Sequence, residues 1–349
     1  MRVVLIRTSS PNAKGSMAEY ACMVESALRA SGRYDVQTCD LFPACSRSMW
    51  RDHVWRLVHA GQVLRQQQAD IYHLLDGSML AFLPKALLSK TIVTVHDLIP
   101  WLQLQGELPG RPSLAASWII RQSVGKLRNV AGLHGVSLCT VRDIQRVTGR
   151  TDAAVISHAT RSLPVFSSDL RLPEKFVLHI GNNAAYKNRM GALRVFARLA
   201  DMKDLWLIMA GPPPTDALRA EAAKRRRVRF MVDISDADLA ALYQRATLLL
   251  FPSLYEGFGI PVREAQAAGC PVVCSTAASL PEVAGHAALM ADPKDEEGLA
   301  AHCRTLLSDD ALRSHLVEKG KAFATAFTME RFGADLCGWY ESIGKCNSS

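Results

Sequence analysis

The chain has 349 residues, of which 49% are hydrophobic and 21% are charged, and its formal net charge is +8. This composition is typical of a packed globular protein, and the length predicts two domains of about 170 residues each. Because no apolar run reaches the roughly 18 residues of a membrane span, and because nine cysteines lie at irregular spacings, we expect a cytoplasmic protein with reduced thiols.

The basic charge is concentrated in the first half of the sequence. Residues 1–170 contain 19 Lys and Arg against 12 Asp and Glu, whereas residues 171–349 contain 22 against 21. Clustered cations suit nucleic acid, an anionic membrane surface or a phosphorylated acceptor. Since no nucleic-acid-binding motif accompanies the cations, we expect no nucleic acid partner. A peripheral position on the inner face of the plasma membrane stays open.

Short apolar runs alternate with segments of helical period along the chain, which predicts βα units and parallel sheets. Six strands are predicted in the first half, at Arg2 to Arg7, Tyr34 to Cys39, Asp70 to Leu75, Thr91 to His96, Ala131 to Ser137 and Ala153 to Ser157. Six more are predicted in the second half, at Phe176 to Ile180, Leu205 to Ala210, Val228 to Val232, Thr247 to Phe251, Val272 to Ser275 and Ala288 to Met290. The fold class is therefore α/β, with two doubly wound domains.

The segment from His158 to Glu174 carries prolines and little periodicity, so we interpret it as an interdomain linker. The predicted domains span residues 1–165 and 166–327. A final segment, residues 328–349, is predicted to contain a helix capped by Thr328, whose large apolar side chains fall on one side. Those side chains are Phe332, Leu336, Trp339 and Tyr340.

Ligands of doubly wound sheets bind beyond the carboxyl ends of the strands, so polar residues there are the candidate site residues. His96 and Asp97 close and follow the fourth predicted strand, where the acid can orient the histidine toward a ligand hydroxyl or can instead cap a helix. His73, at the end of the third strand, is a further candidate for ligand binding. Gly15 leads into the helix after the first strand, where a plain turn and a phosphate contact are both open.

A segment of helical period from Arg47 to Gln68 sets cations such as Arg56 beside tryptophans such as Trp55. This combination suits a helix that lies on an anionic membrane surface. Packing of its apolar stripe against the sheet is the alternative, and we favour it.

In the second half, Asp236 and Asp238 have a spacing that can hold a divalent metal in some proteins. Because Ser235 precedes them and an apolar helical pattern follows, we interpret the serine as an N-cap and the two acids as first-turn residues that complement the helix dipole. We therefore expect no metal at this position.

The most informative pattern is Tyr255-Glu256-Gly257-Phe258-Gly259-Ile260-Pro261-Val262-Arg263-Glu264, which follows an apolar strand. Eight positions rotate a helix by about 80° beyond two turns, so the two glutamates cannot share one helix face, and Glu256 is predicted to precede the helix. Backbone amides and the positive end of the helix dipole then lie beside two carboxylates, which suits a phosphate attached to a polyhydroxy group. A tight turn without a ligand is the alternative.

The stretch from Leu250 to Asp292, LFPSLYEGFGIPVREAQAAGCPVVCSTAASLPEVAGHAALMAD, closely resembles the family 4 retaining glycosyltransferases, which use nucleotide-sugar donors. The resemblance is strong over residues 171–293 and looser before them. It implies a GT-B fold, in which two Rossmann-like domains face a cleft and a C-terminal helix crosses back to the first domain.

The resemblance also implies roles for individual residues. The catalytic group would be His96, Lys187 and Glu256. Asp97 and His73 would lie on the acceptor side. Donor binding would involve Gly15, Asn182, Lys187, Ile234, Gly257, Phe258, Gly259, Ile260 and Glu264. Asn182 stands where many members have arginine, so one cation of the expected diphosphate-binding pair is missing.

The sequence therefore predicts a metal-independent glycosyltransferase without a cofactor. It would move a hexose to a lipid-linked or oligosaccharide acceptor in surface polysaccharide synthesis, and our first expectation for the donor is GDP-mannose. A non-hydrolysing UDP-sugar epimerase and a non-catalytic nucleotide-sugar-binding protein are the alternatives. Lys187→Ala is predicted to remove turnover and to leave the fold intact.

Overall fold

A computed structural model describes residues 1–8, 15–41, 49–161, 163 and 170–346. The described chain forms two compact units. The first unit comprises residues 1–107 and 111–159 together with the chain from Phe327 onward, and the second comprises residues 108–110 and 160–326. Each unit is built on one parallel six-stranded sheet.

All twelve predicted strands are confirmed, with small shifts at their ends. In the first unit the strands are β1 Arg2–Arg7, β2 Asp35–Asp40, β3 Ile71–Leu74, β4 Thr91–Val95, β5 Gly132–Gly135 and β6 Ala154–Val155. In the second they are β7 Lys175–Ile180, β8 Leu205–Ala210, β9 Val228–Met231, β10 Leu248–Phe251, β11 Val272–Ser275 and β12 Ala288–Ala291.

Helices connect the strands. In the first unit they are α1 Ser16–Ala30, α2 Met49–Arg65, α3 Ile99–Leu104, α4 Leu114–Leu127, α5 Leu138–Thr148 and the terminal α13 Met329–Cys346. In the second they are α6 Arg189–Ala197, α7 Asp216–Ala223, α8 Asp236–Arg245, α9 Ile260–Ala268, α10 Leu280–Ala284, α11 Glu296–Ser308 and α12 Asp310–Ala324. Short 3₁₀ turns occur at Gly77–Phe82, Lys85–Lys90 and Ala185–Lys187.

The strand order explains where ligands can bind. The first sheet has the order β2-β1-β3-β4-β5-β6 and the second has the order β12-β11-β10-β7-β8-β9. The order therefore reverses between β1 and β3 in one unit and between β7 and β10 in the other. Loops that leave neighbouring strands at such a point diverge to opposite faces and open a crevice at the carboxyl ends of the strands.

The terminal helix α13 packs in the first unit, as the resemblance predicted. Phe332, Leu336, Trp339 and Tyr340 are all at most 7% exposed and join the core that covers one face of the first sheet. Burial of aromatic and aliphatic side chains on this scale supplies several kcal/mol, at about 25 cal/mol per Å² of apolar area. The last turns of the chain thus complete the core that its first strand begins.

Helix α2 lies within the segment considered for a membrane surface. Arg56 is only 4% exposed and donates to the Leu41 carbonyl at 2.8 Å, while Leu64 is fully buried and Val58 is exposed. Arg56 is therefore a core residue and not a surface cation, which matches the packing alternative that we favoured for this segment. The side chain of Trp50 lies outside the described residues. Within the described ranges, none of the helices combines the length and hydropathy needed to span a bilayer.

Candidate active site

The crevice of the second unit brings Lys187 and Glu256 together. Lys187 follows β7 and Glu256 follows β10, the two strands between which the sheet order reverses. The Lys187 ammonium donates to both carboxylate oxygens of Glu256, at 2.8 and 2.7 Å. The backbone N–H of Leu254 donates to the Tyr186 carbonyl at 2.7 Å, which ties the two loops together beside this pair. An ammonium and a carboxylate thus form an ion pair at the point where the order of the second sheet reverses.

Two polar side chains, the buried Ser279 and the half-buried Asn188, hold the loop that carries Glu256. The fully buried Ser279 hydroxyl lies 2.9 Å from the Glu256 carbonyl and 2.8 Å from the Phe258 carbonyl. Asn188 donates to the Pro252 carbonyl at 2.9 Å from the start of α6. Because buried carbonyls need donors, these contacts determine the path of the loop and therefore the position of its carboxylate. Sequence patterning did not identify Ser279 or Asn188.

The turn before α9 has the predicted arrangement. Glu256 precedes the helix, Ile260 begins it and Glu264 lies inside it. Gly259 has φ 99° and ψ 47°, in the left-handed region that favours glycine. Together with the buried Gly257, this residue lies at the positive end of α9, where an anion is stabilised. Contacts of Gly257, Phe258, Gly259 and Ile260 with a donor stay predictions.

We expect Gly259→Ala to destabilise the second unit. Its Cβ would lie 2.8 Å from Leu280 Cδ2, and its positive φ would be strained for alanine. Strain of this kind costs about 1 to 3 kcal/mol, measurable by urea unfolding. Gly125→Ala is the control, because nothing lies within 4 Å of the added Cβ in α4 and alanine favours helix by about 0.5 to 1 kcal/mol. Equal midpoints for Gly259→Ala and the parent protein would contradict the prediction.

Glu264 is held from two sides. Its Oε2 accepts from the Tyr243 hydroxyl at 2.9 Å and its Oε1 accepts from Arg161 Nε at 3.0 Å. Burial, reinforced by the neighbouring carboxylate, raises the pKa of Tyr243 well above its usual value, so the phenol stays a neutral donor. Glu264 is only 5% exposed and lies one turn of α9 after the start of the helix, where the phosphate is predicted to bind. Neither Tyr243 nor Arg161 was identified from the sequence.

Other residues predicted for donor binding lie in loops of the same unit. The exposed Asn182 uses its side-chain oxygen to accept from the Ala184 N–H at 3.0 Å, so it forms a turn with its own backbone. Ile234 is half-buried between β9 and α8. The capping function predicted for the next residues is confirmed, since Ser235 and Asp238 form a reciprocal capping box at the start of α8.

His96 lies at the carboxyl end of β4 in the first unit. Its Nε2 donates to the Leu75 carbonyl at 2.9 Å, so the Leu75 backbone orients the ring. A carbonyl can only accept, so Nε2 carries the proton and Nδ1 presents a lone pair. Burial lowers the pKa of His96, which favours this neutral form. Tyr20 contacts the ring edge-on, with 4.7 Å between centroids. The imidazole is thus a positioned hydrogen-bond acceptor.

His73 does not have the environment expected of an acceptor-binding residue. It is fully buried, its Nδ1 lies 2.6 Å from the Tyr340 hydroxyl and its Nε2 lies 2.8 Å from the Thr94 hydroxyl. Both ring nitrogens are therefore used inside the core, and we correct its role to a structural one. Asp97 accepts from the Ile99 N–H at 2.9 Å in a turn that precedes α3, and the N-cap of that helix is Leu98, so Asp97 is not the helix cap and its place on the acceptor side stays a prediction.

Gly15 opens α1, and its carbonyl accepts from the Ala18 and Glu19 N–H groups at 3.1 Å. The residues from Asn12 to Lys14 that precede it lie outside the described residues. Its φ of 121° belongs to a conformation that glycine adopts readily. The expected phosphate contact of Gly15 stays a prediction.

Comparison with known proteins agrees with the resemblance. Residues 165–323 match the family model described as "Glycosyl transferases group 1". The O-antigen chain mannosyltransferase B of Escherichia coli is 35% identical over 176 residues, which are 48% of this chain and 46% of that protein. The alignment thus spans less than half the length of that curated relative.

Solved structures match the whole described architecture. Sucrose-phosphate synthase from Thermosynechococcus elongatus has a TM-score of 0.79 at 19% identity, covering 99% of both chains. Anabaena HepE, solved in complex with UDP and glucose, has a TM-score of 0.75 at 16% identity, covering 98% of this chain and 100% of that one. These likenesses define the fold as GT-B. Residues 165–323 of the chain therefore form a glycosyltransferase group 1 domain.

Proposed function

We propose that the protein is a retaining, metal-independent glycosyltransferase that moves a hexose from a nucleotide-sugar donor to a lipid-linked or oligosaccharide acceptor. The observation that carries this proposal is the Lys187–Glu256 pair at the switch point of the second sheet, beside the Gly259 turn and α9. An ammonium suits a phosphate and a carboxylate suits sugar hydroxyls, so this pair supports the proposal. Both lie in the domain that matches the glycosyltransferase model.

Sugar transfer breaks the bond between the anomeric carbon and the diphosphate. Negative charge grows on the leaving group and positive charge grows on the ring, so groups already in place for those charges lower the barrier. In this proposal Lys187 and the amides before α9 stabilise the diphosphate, and Glu256 stabilises the ring. His96 accepts a hydrogen bond from a sugar hydroxyl through Nδ1. No three His, Cys, Asp or Glu side chains of the described chain are grouped as metal ligands.

Mannose from GDP-mannose is the proposed donor sugar. The name of the E. coli relative, O-antigen chain mannosyltransferase B, supports mannose and an acceptor in surface polysaccharide synthesis. The structural relative HepE was solved with UDP, so UDP-sugars are the competing donors in the test. We further propose a cytoplasmic position at the inner face of the plasma membrane, which the basic first half would favour if the acceptor is lipid-linked.

The test is a transfer assay with radiolabelled GDP-mannose, UDP-glucose and UDP-N-acetylglucosamine, membrane extract as acceptor source, and EDTA in the buffer. We expect label from GDP-mannose to enter the lipid or oligosaccharide fraction, with the anomeric configuration of the donor retained. Release of a free epimer would replace the proposal with epimerase activity. Nucleotide binding without transfer would indicate a binding protein, and transfer only after divalent metal is added would contradict metal independence.

A further inference from the structure

We infer that Arg161 is a positioning residue for the nucleotide ribose, acting through Glu264. The inference rests on the proposed nucleotide-sugar function and adds a residue to that site. Arg161 lies between the last strand of the first sheet and β7, outside every motif that the sequence analysis identified. Its ligand class is a nucleoside diphosphate that carries free ribose hydroxyls.

The guanidinium bridges two acids of the second unit. Arg161 Nε donates to Glu264 Oε1 at 3.0 Å, and Nη1 donates to Asp236 Oδ1 at 3.1 Å. The three side chains become progressively more open, with exposed fractions of 5% for Glu264, 22% for Arg161 and 69% for Asp236. The buried carboxylate is thus joined through the arginine to the solvent-exposed first turn of α8.

The second oxygen of Glu264 is held equally firmly, by the Tyr243 hydroxyl at 2.9 Å. Each carboxylate oxygen has two lone pairs, so an oxygen that accepts from a protein donor can also accept from a ligand hydroxyl. With Oε1 held by Arg161 and Oε2 held by Tyr243, the carboxylate cannot rotate. Two adjacent hydroxyls, as on ribose, match the two fixed oxygens.

Arginine suits this function better than lysine. A planar guanidinium can donate from Nε to one acid and from Nη1 to the other at the same time, whereas an ammonium is a point charge on a flexible stem. The Asp236 contact also connects Arg161 with the loop that contains Ile234, the residue predicted to lie against the base. Arg161 therefore links the predicted ribose contact to the predicted base contact.

The experiment is isothermal titration of the full chain with GDP and UDP and with their 2′,3′-dideoxy analogues. We expect Arg161→Ala to weaken binding of the ribonucleotides by about tenfold or more and to change binding of the dideoxy analogues by less than twofold, because only the former use Glu264. Arg161→Lys should recover part of the loss, since it keeps the charge without the fork. Arg171→Ala is the matched control, because Arg171 is an exposed cation of the same unit.

Equal losses for ribonucleotide and dideoxynucleotide would overturn the inference, since they would indicate a general effect of charge or folding. Unchanged ribonucleotide binding by Arg161→Ala would also overturn it. A melting curve without ligand shows whether Arg161→Ala has a folding defect. If it has one, binding of the ribonucleotides and of the dideoxy analogues is compared in Arg161→Lys instead, and the same two outcomes test the inference. Failure of the unaltered protein to bind any nucleoside diphosphate would instead remove the proposed function itself.

Discussion

Replacing Lys187 by methionine is expected to reduce kcat for sugar transfer by about 10²- to 10³-fold, the usual effect of removing one donor from a developing negative charge. The ammonium lies 2.7 Å from Glu256 Oε2, at the switch point where the diphosphate is predicted to bind. Since charge grows on the leaving group as its bond breaks, the lost interaction is strongest in the transition state. The measurement is initial-rate transfer at saturating donor.

The structure adds a stability effect that the sequence did not predict. Glu256 is 6% exposed, and in Lys187→Met its carboxylate would lose the cation that compensates its burial. Breaking a buried pair from one side costs about 3 to 5 kcal/mol, and the 17% exposure of Lys187 places this pair toward the lower end. The expectation that the fold stays intact is therefore revised to a measurable fall in urea midpoint.

A double variant separates the two effects. Lys187→Met combined with Glu256→Gln removes the uncompensated charge, so we expect the urea midpoint to recover while transfer stays low. Lys175→Met serves as the control, because Lys175 is an exposed lysine at the start of β7 in the same unit. Wild-type turnover in Lys187→Met would remove the diphosphate role, and a double variant as unstable as the single one would remove the explanation for the instability.

Sequence periodicity was sufficient for the strands but not for side-chain pairing across the crevice. Apolar runs such as Leu248–Phe251 are fully buried and read directly as central strands. The pairing of Lys187 with Glu256 depends on β7 lying beside β10, and strand order cannot be read from hydrophobic pattern. It also depends on Asn188, which adopts a left-handed conformation at φ 52° and binds the neighbouring loop.

Residues that act through other residues were the ones missed. Tyr243 falls on the apolar stripe of α8 and reads as core, yet its hydroxyl binds Glu264. Arg161 belongs to no periodic segment, so no pattern marks it. His73 was instead wrongly predicted to bind a ligand, because a histidine at the end of a strand indicates a ligand site. In the structure, its Nδ1 is hydrogen-bonded to the Tyr340 hydroxyl of the terminal helix. Contacts between residues far apart in sequence decided all three.

The first unit is expected to lose stability steeply as pH falls below 6.5, because three buried histidines and the half-buried His96 lie close together in it. His73 and His134 share the Thr94 hydroxyl, each at 2.8 Å, and the rings of His96 and His158 are 5.5 Å apart. Burial lowers the pKa of His73 to about 3, with the neighbouring His96 adding to the shift. Burial also lowers the pKa of His96, and it lowers the pKa values of His134 and His158 well below the ordinary value.

The sign follows from proton uptake. The unfolded chain protonates each histidine near pH 6.5, whereas the folded unit resists protonation until much lower pH. The stability contributed by the neutral rings is therefore complete above about pH 6.5 and declines as the pH falls toward the folded-state pKa values. With its folded-state pKa of about 3, His73 lowers the free energy of unfolding by about 1.4 kcal/mol per pH unit in this window, which is about 2 kcal/mol at pH 5.

Urea unfolding at pH 7.5, 6 and 5 measures the effect, and His134→Gln assigns it. Glutamine stays neutral and can still bond to the Thr94 hydroxyl, so this variant should be less stable than the parent at pH 7.5 but less sensitive to pH below 6.5. His286→Gln replaces an exposed histidine and should keep the steep dependence of the parent. If the stability of His134→Gln depended on pH as steeply as that of the parent, the proton uptake would belong to other groups. If the stability of the parent did not change with pH, water or local opening would already accommodate the protonated rings.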